Sequence, residues 1–256
     1  MTEILLPLPS LLTILTLPPK RDRIGEFLQL LDTTAGKDKF FRLLQFGAKF
    51  VQWQETQLRK HNNLNEDSNV QKRLQFYRAL AGNMCQTRRV LRLFRALVVL
   101  RALKVTLSTS TAPKQILLVH TLSKLCLATY FLLDNVQWAR SVNLLTSKSE
   151  NCRKKVERAT DWAWFGEITL SIVEQLLRMC KAIDSPNGAV VKQDALTVIV
   201  RNAADLGIVS LQLNLFNWAD KANVHLDGIV GILGVVGSLI SLKNMWPVIE
   251  IVKVKL

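Results

Sequence analysis

The stretch DKFFRLLQFGAKFVQ, residues 38–52, decides the fold class. At 3.6 residues per turn, Phe40, Leu43, Leu44, Gly47, Phe50 and Val51 fall on one side, and Asp38, Arg42, Gln45, Lys49 and Gln52 on the other. That pattern predicts an amphipathic helix. Just upstream, Asp32, Thr33 and Thr34 offer capping oxygens, and Gly36 suits an irregular start. Outward from this block the periodicity stays helical, with only 11 Gly and 7 Pro to interrupt 256 residues and no short repeat. The chain reads as all-α, with breaks at 61–69, 108–114, 146–155 and 184–188.

A formal charge of +14 must face something anionic, whether nucleic acid, acidic lipid or acidic protein. An apolar content of 49% with positive mean hydropathy is more than a basic nucleic-acid arm carries. Residues 1–110 hold 18 basic and 8 acidic side chains, against 16 and 12 in 111–256, so the N-terminal half is the candidate reader of an anionic surface. Cys85, Cys126, Cys152 and Cys180 form no C-x-x-C pair, which predicts reduced thiols and neither a zinc site nor a disulfide framework. The apolar N-terminus lacks a basic leader and is broken by Pro7 and Pro9, so it is expected to be a docking segment and not a secretory signal.

The most basic block is 88–98. Arg88, Arg92 and Arg95 stack at i, i+4 and i+7 with Arg89 beside them, opposite Val90, Leu93, Phe94, Leu97 and Val98. An in-plane interfacial helix needs this division: guanidinium groups for lipid phosphate, an apolar stripe for the acyl boundary. The same division fits a core helix with a solvated basic face. Arg101 and Lys104 rotate onto the apolar side of a straight helix, so either the helix ends near Leu100 or those side chains snorkel.

Two later segments could enter a membrane. Residues 116–133 carry only His120 and Lys124 as polar interruptions of note, and 228–242 carry no charge but fall short of the roughly 20 residues a span needs. In the second, Gly228, Gly231, Gly234 and Gly237 recur every third residue and make a strip along which another helix can approach closely.

Catalytic and metal constellations are missing. Gly36-Lys37 lacks the earlier glycine and the hydroxyl residue of a phosphate loop, the three histidines His61, His120 and His225 stand far apart, and no nucleophile elbow is present. Glu167 and Glu174 share one helical face, where Arg178 is the natural partner. The expectation is therefore no enzyme, no cofactor, no metal and no nucleic acid.

Three blocks carry a resemblance. LLDTTAGKDKFFRLLQFG at 30–47 is similar to the opening F-L-D-x-x-x-G-R-[DE]-K-x-x-R-L-x-Q-Y of the peroxin-eleven family, in its fungal type. YFLLDNVQW at 130–138 resembles the family's Y-x-x-x-D-x-x-x-[WL], and GVVGSLISLKNMW at 234–246 resembles the fungal ending. The resemblance implies a peroxisomal membrane protein that drives organelle elongation, division and proliferation through an amphipathic helix on anionic phospholipid. It further implies homo-oligomers and recruitment of the fission machinery, an adaptor and a dynamin-like GTPase. A pore for small metabolites is the alternative, for which His120 and Lys124 would line the path. The terminal Val254-Lys255-Leu256 departs from the S-K-L import signal at its small residue and is read as coincidence.

The resulting expectation is a membrane-associated helical bundle with amphipathic helices and one or two inserted segments. Residues 1–20 form an apolar extension, 21–107 a basic amphipathic region, and 115–256 a helical membrane region ending in the Gly-rich helix. Arg88, Arg89, Arg92 and Arg95 are the candidate lipid-binding face; Val90, Leu93, Phe94, Leu97 and Val98 the inserting face; the four glycines the helix-contact strip.

Overall fold

A computed structural model describes residues 22–61, 68–145, 149–182, 188–215 and 226–246; the apolar extension and the C-terminal tripeptide lie outside them. Within them the chain is all-helical: α1 (Arg23–Asp32), α2 (Thr34–His61), α3 (Ser68–Leu91), α4 (Arg95–Thr109), α5 (Lys114–Ser141), α6 (Glu150–Lys181), α7 (Gly188–Gln212) and α8 (Leu226–Met245).

Local chemistry sets the helix starts. The Asp22 carboxylate accepts from the Gly25 N–H at 2.9 Å and caps α1, and Thr33 Oγ1 accepts from the Gly36 N–H at 2.9 Å and caps α2. Gly36 is needed there, because a Cβ at that position would collide with the Leu30 carbonyl oxygen. Pro113 precedes α5, where its missing N–H costs no hydrogen bond.

The expected helix across 88–98 is two pieces. α3 stops at Leu91 and α4 begins at Arg95, with Phe94 between them in the left-handed conformation at φ 59°. The chain turns a corner, and the Phe94 ring is left 71% exposed.

Six helices close into a ring in the order α2, α3, α5, α6, α7, α8 and back to α2. Gly166 brings α6 close to α5, where a Cβ would stand 3.3 Å from Cys126 Sγ. Ile168, Val209 and Leu213 form an apolar core between α6 and α7. The α3–α5 seam is bridged by long side chains: Arg89 to Asp134 and Gln137, Arg92 to Tyr130 and Asp134. α4 lies outside the ring against α5, burying Ala96 beside Ala128 and Phe131. α1 ties the ends together, since the Trp246 indole donates to the fully buried Glu26 carboxylate at 2.7 Å and stacks on Phe27.

α5 and α8 are each long and apolar enough to cross a bilayer. Their exposed apolar side chains align as outward stripes: Leu118, Leu122, Leu125 and Leu132 on α5, Ile229, Ile232, Val236 and Leu239 on α8. The glycines of α8 face the other way, Gly228, Gly231 and Gly234 onto α2 and Gly237 onto Asp205 of α7. A Cβ at Gly231 would come within 2.9 Å of the Phe50 backbone, and one at Gly228 or Gly234 would strike the Trp53 or Phe46 ring. The helix-contact strip is thus filled from within the chain.

Candidate functional site

The ring encloses charge. Asp38, Arg42 and Gln45, assigned by periodicity to the polar side of α2, are all buried, whereas Leu44 on the opposite side is exposed. The inversion has a physical cause: Asp38, Arg42 and Gln45 each meet a hydrogen-bonding partner on another helix, which offsets the cost of burying them. Arg42 forms a two-pronged ion pair with Asp205 on α7. Asp38 Oδ1 accepts from Arg88 Nε at 3.1 Å, and Gln45 Oε1 accepts from Arg88 Nη1 at 2.7 Å. Arg92 donates to the Tyr130 hydroxyl at 2.7 Å and pairs with Asp134 at 3.1 Å. Burial would raise the Asp38 carboxyl, yet Arg88, Lys39 and Arg92 hold it below the usual carboxylate range.

These side chains line a cavity of about 440 Å³ together with Lys39, Arg95, Trp164, Glu167, Arg201, Asn202 and Ser241. Burial pushes Glu167 upward against Lys124 and Arg201, and burial with the nearby Glu157 charge raises Asp161 to about 6. His120 and Lys124, the expected lining of a polar path, are absent from this wall; His120 Nδ1 instead stands 3.1 Å from both Glu174 carboxylate oxygens.

The basic face at 88–98 is corrected in placement. Arg88 and Arg92 turn inward to the carboxylates, Arg89 is half-buried on Asp134 and Gln137, and Arg95 lies half-buried over the Phe131 ring at 5.8 Å. None of the four forms an outward stripe. The apolar partners of the same block do face outward: Val90, Phe94, Leu97 and Val98 are 47, 71, 62 and 66% exposed, with Leu93 half-buried. α4 continues this surface through Leu100, Val105 and Leu107, with Arg101 and Lys104 exposed among them. Around this site the molecule therefore buries a charged cluster beside its apolar core while leaving a continuous apolar surface exposed along α4, α5 and α8.

The network residues Asp205, Arg201 and Asn202 carried no sequence signal. Asp38, Arg42, Gln45, Tyr130 and Asp134 did, since they stand at fixed positions of the first two resemblance blocks. The family model described as peroxisomal biogenesis factor 11 (PEX11) matches residues 24–246, nearly the whole described chain. The chain belongs to this family. Members of the peroxisomal biogenesis factor 11 family are peroxisomal membrane proteins that act in peroxisome proliferation, and the chain is placed at that membrane. Two relatives from Candida boidinii are similar along their length. Peroxisomal membrane protein PMP30A is 23% identical over 249 residues, covering 87% of this chain and 94% of its own. Peroxisomal membrane protein PMP30B is 22% identical over 250 residues with the same coverage. No solved structure matches. Within the family frame, Asp38, Arg42, Gln45, Tyr130 and Asp134 of the first two blocks contribute to the charged interior together with Arg88, Arg92 and Asp205 from outside them.

Proposed function

We propose that the protein elongates peroxisomes and prepares them for division by seating the α3–α4 corner as a wedge in one leaflet. The observation that carries this is the outward apolar surface of Val90, Phe94, Leu97 and Val98, continued along α4 and set with Arg101 and Lys104. Each large apolar side chain buried in the acyl boundary contributes on the order of 1.5–3 kcal/mol, and each cation near an anionic leaflet about 1 kcal/mol. A helix seated roughly 5 to 10 Å deep expands its own leaflet and favours positive curvature. This reading moves the lipid-facing cations from Arg88 and Arg92 to Arg101 and Lys104, whose stems reach along apolar surface while their heads stay at the phosphates. Because α2 and α7 fill the glycine strip of α8, assembly between copies uses another face. The protein acts here as a structural element without catalysis, concentrating wedges where an adaptor and a dynamin-like GTPase complete scission.

The test is imaging of peroxisomes in cells expressing the intact chain or the triple variant Phe94→Glu, Leu97→Glu, Val98→Glu. The intact chain lengthens or multiplies the organelles, and the variant reaches them without doing so. Equal elongation by the variant contradicts the wedge. A second reading, passage of small solutes, is favoured by the charged cavity inside the ring. It requires solute flux in reconstituted vesicles that depends on Arg95.

A further inference from the structure

The cavity wall holds more positive than negative charge, and the excess can be located. Five cations, Lys39, Arg42, Arg88, Arg89 and Arg92, share only three carboxylates, Asp38, Asp134 and Asp205. Two further arginines, Arg95 and Arg201, have no carboxylate within ion-pair distance among the described residues; Arg95 rests on Phe131, and Arg201 donates to the Asn202 side-chain oxygen. In sign they are offset by Asp161 and Glu167, which also line the wall. The wall as a whole therefore holds seven cations against five carboxylates, an excess of about two positive charges, and Arg95 and Arg201 are its guanidinium groups outside any ion pair among the described residues.

Uncompensated charge inside an apolar-surfaced bundle is costly, so the site calls for a counter-ion. The donors present define it. Guanidinium forks recognise phosphate oxygens two at a time, and a phosphate monoester carries close to two negative charges at neutral pH. A volume of about 440 Å³ falls within the range of small-molecule sites, and Trp164, Tyr130 and Phe131 supply apolar wall beside the donors. We propose that the cavity binds a phosphate monoester, carried either by a small soluble molecule or by a lipid headgroup reaching in between the ring helices. The inference stands apart from the wedge, which uses the outer surface, and holds whether or not the cavity conducts.

The experiment measures thermal unfolding of the full chain in phosphatidylcholine nanodiscs, followed by tryptophan fluorescence. Glycerol 3-phosphate is titrated in one arm, phosphatidic acid is built into the disc in a second, and glycerophosphocholine serves as the zwitterionic diester control. A saturable rise of several degrees with glycerol 3-phosphate supports a soluble ligand; a rise with phosphatidic acid alone supports the lipid source. In both cases Arg95→Gln with Arg201→Gln abolishes the rise and Lys72→Gln, on the exposed side of α3, preserves it. The pair of substitutions removes no ion pair, and the Arg95→Lys with Arg201→Lys chain, which keeps the charge, retains part of the rise. No rise with either monoester, a rise of equal size with the diester, or an undiminished rise in the glutamine variant overturns the proposal.

Discussion

Arg42 on α2 and Asp205 on α7 meet as a buried two-pronged ion pair across 163 residues of sequence. The second prong, Arg42 Nη1 to Asp205 Oδ2, measures 3.1 Å, and both side chains are shielded from the surroundings. The pair joins α2 to α7 beside α8, where Gly237 leaves room for it: a Cβ there would stand 3.0 Å from Asp205 Oδ1.

Removing one partner strands the other. Asp205→Ala leaves a buried guanidinium without its counter-charge, which costs about 3–5 kcal/mol, whereas removing both partners in Arg42→Met with Asp205→Leu costs far less. Thermal unfolding in detergent should show the single variant falling by roughly 10 °C and the double variant recovering most of that loss. A double variant as unstable as the single one contradicts the pairing.

Gly234 and Gly47 should respond oppositely to the same methyl group. A Cβ at Gly234 would run into the Phe46 ring, while one at Gly47 meets nothing within 4 Å. In a helix interior, Gly→Ala ordinarily stabilises by roughly 0.5–1 kcal/mol. Gly47→Ala should follow that rule, and Gly234→Ala should destabilise by roughly 1–3 kcal/mol through overpacking. Adding Phe46→Ala to Gly234→Ala should remove the clash, giving a coupling of at least about 0.5 kcal/mol in a double-mutant cycle.

Asp161 gives the fold a pH dependence of known sign. Its folded-state pKa of about 6 lies above the value of an unfolded aspartate, because burial and Glu157 disfavour the charged form. The folded state then binds more protons than the unfolded state between about pH 4 and 6, so this group's contribution is fully present below that window and is lost as pH rises through it. Asp161→Asn should raise the melting temperature at pH 7 and leave it little changed at pH 4. A variant that tracks the parent at both pH values contradicts the shift.

The fold class was legible in the sequence because helical periodicity and scarce Gly and Pro survive any packing arrangement. The glycine strip was legible too, since four glycines at every third position have few uses other than close helix approach. What the sequence did not disclose was which side of α2 faces inward. Charged residues normally mark the solvated face, and the pairing of Asp38 with Arg88 or of Arg42 with Asp205 is a property of three-dimensional neighbours, not of spacing. The corner at Phe94 was hidden for a related reason: residues 91–95 hold no glycine, proline or asparagine, and the break lies between Arg88 and Arg92, paired inward with residues far away in sequence, and Ala96, packed on α5. The residues quoted for the family resemblance marked the cavity, although nothing in their spacing gave their role.

The central claim is that the apolar exterior, and not the arginine block, meets lipid. Nitroxide labels placed singly at positions 94, 97 and 98 of the full chain in anionic vesicles test it through their accessibility to oxygen, which concentrates in the bilayer, and to a water-soluble nickel chelate. The account predicts that all three favour oxygen, while a label at the exposed position 72 favours the chelate. Labels at 94, 97 and 98 that relax with the chelate as readily as the one at 72 would contradict it.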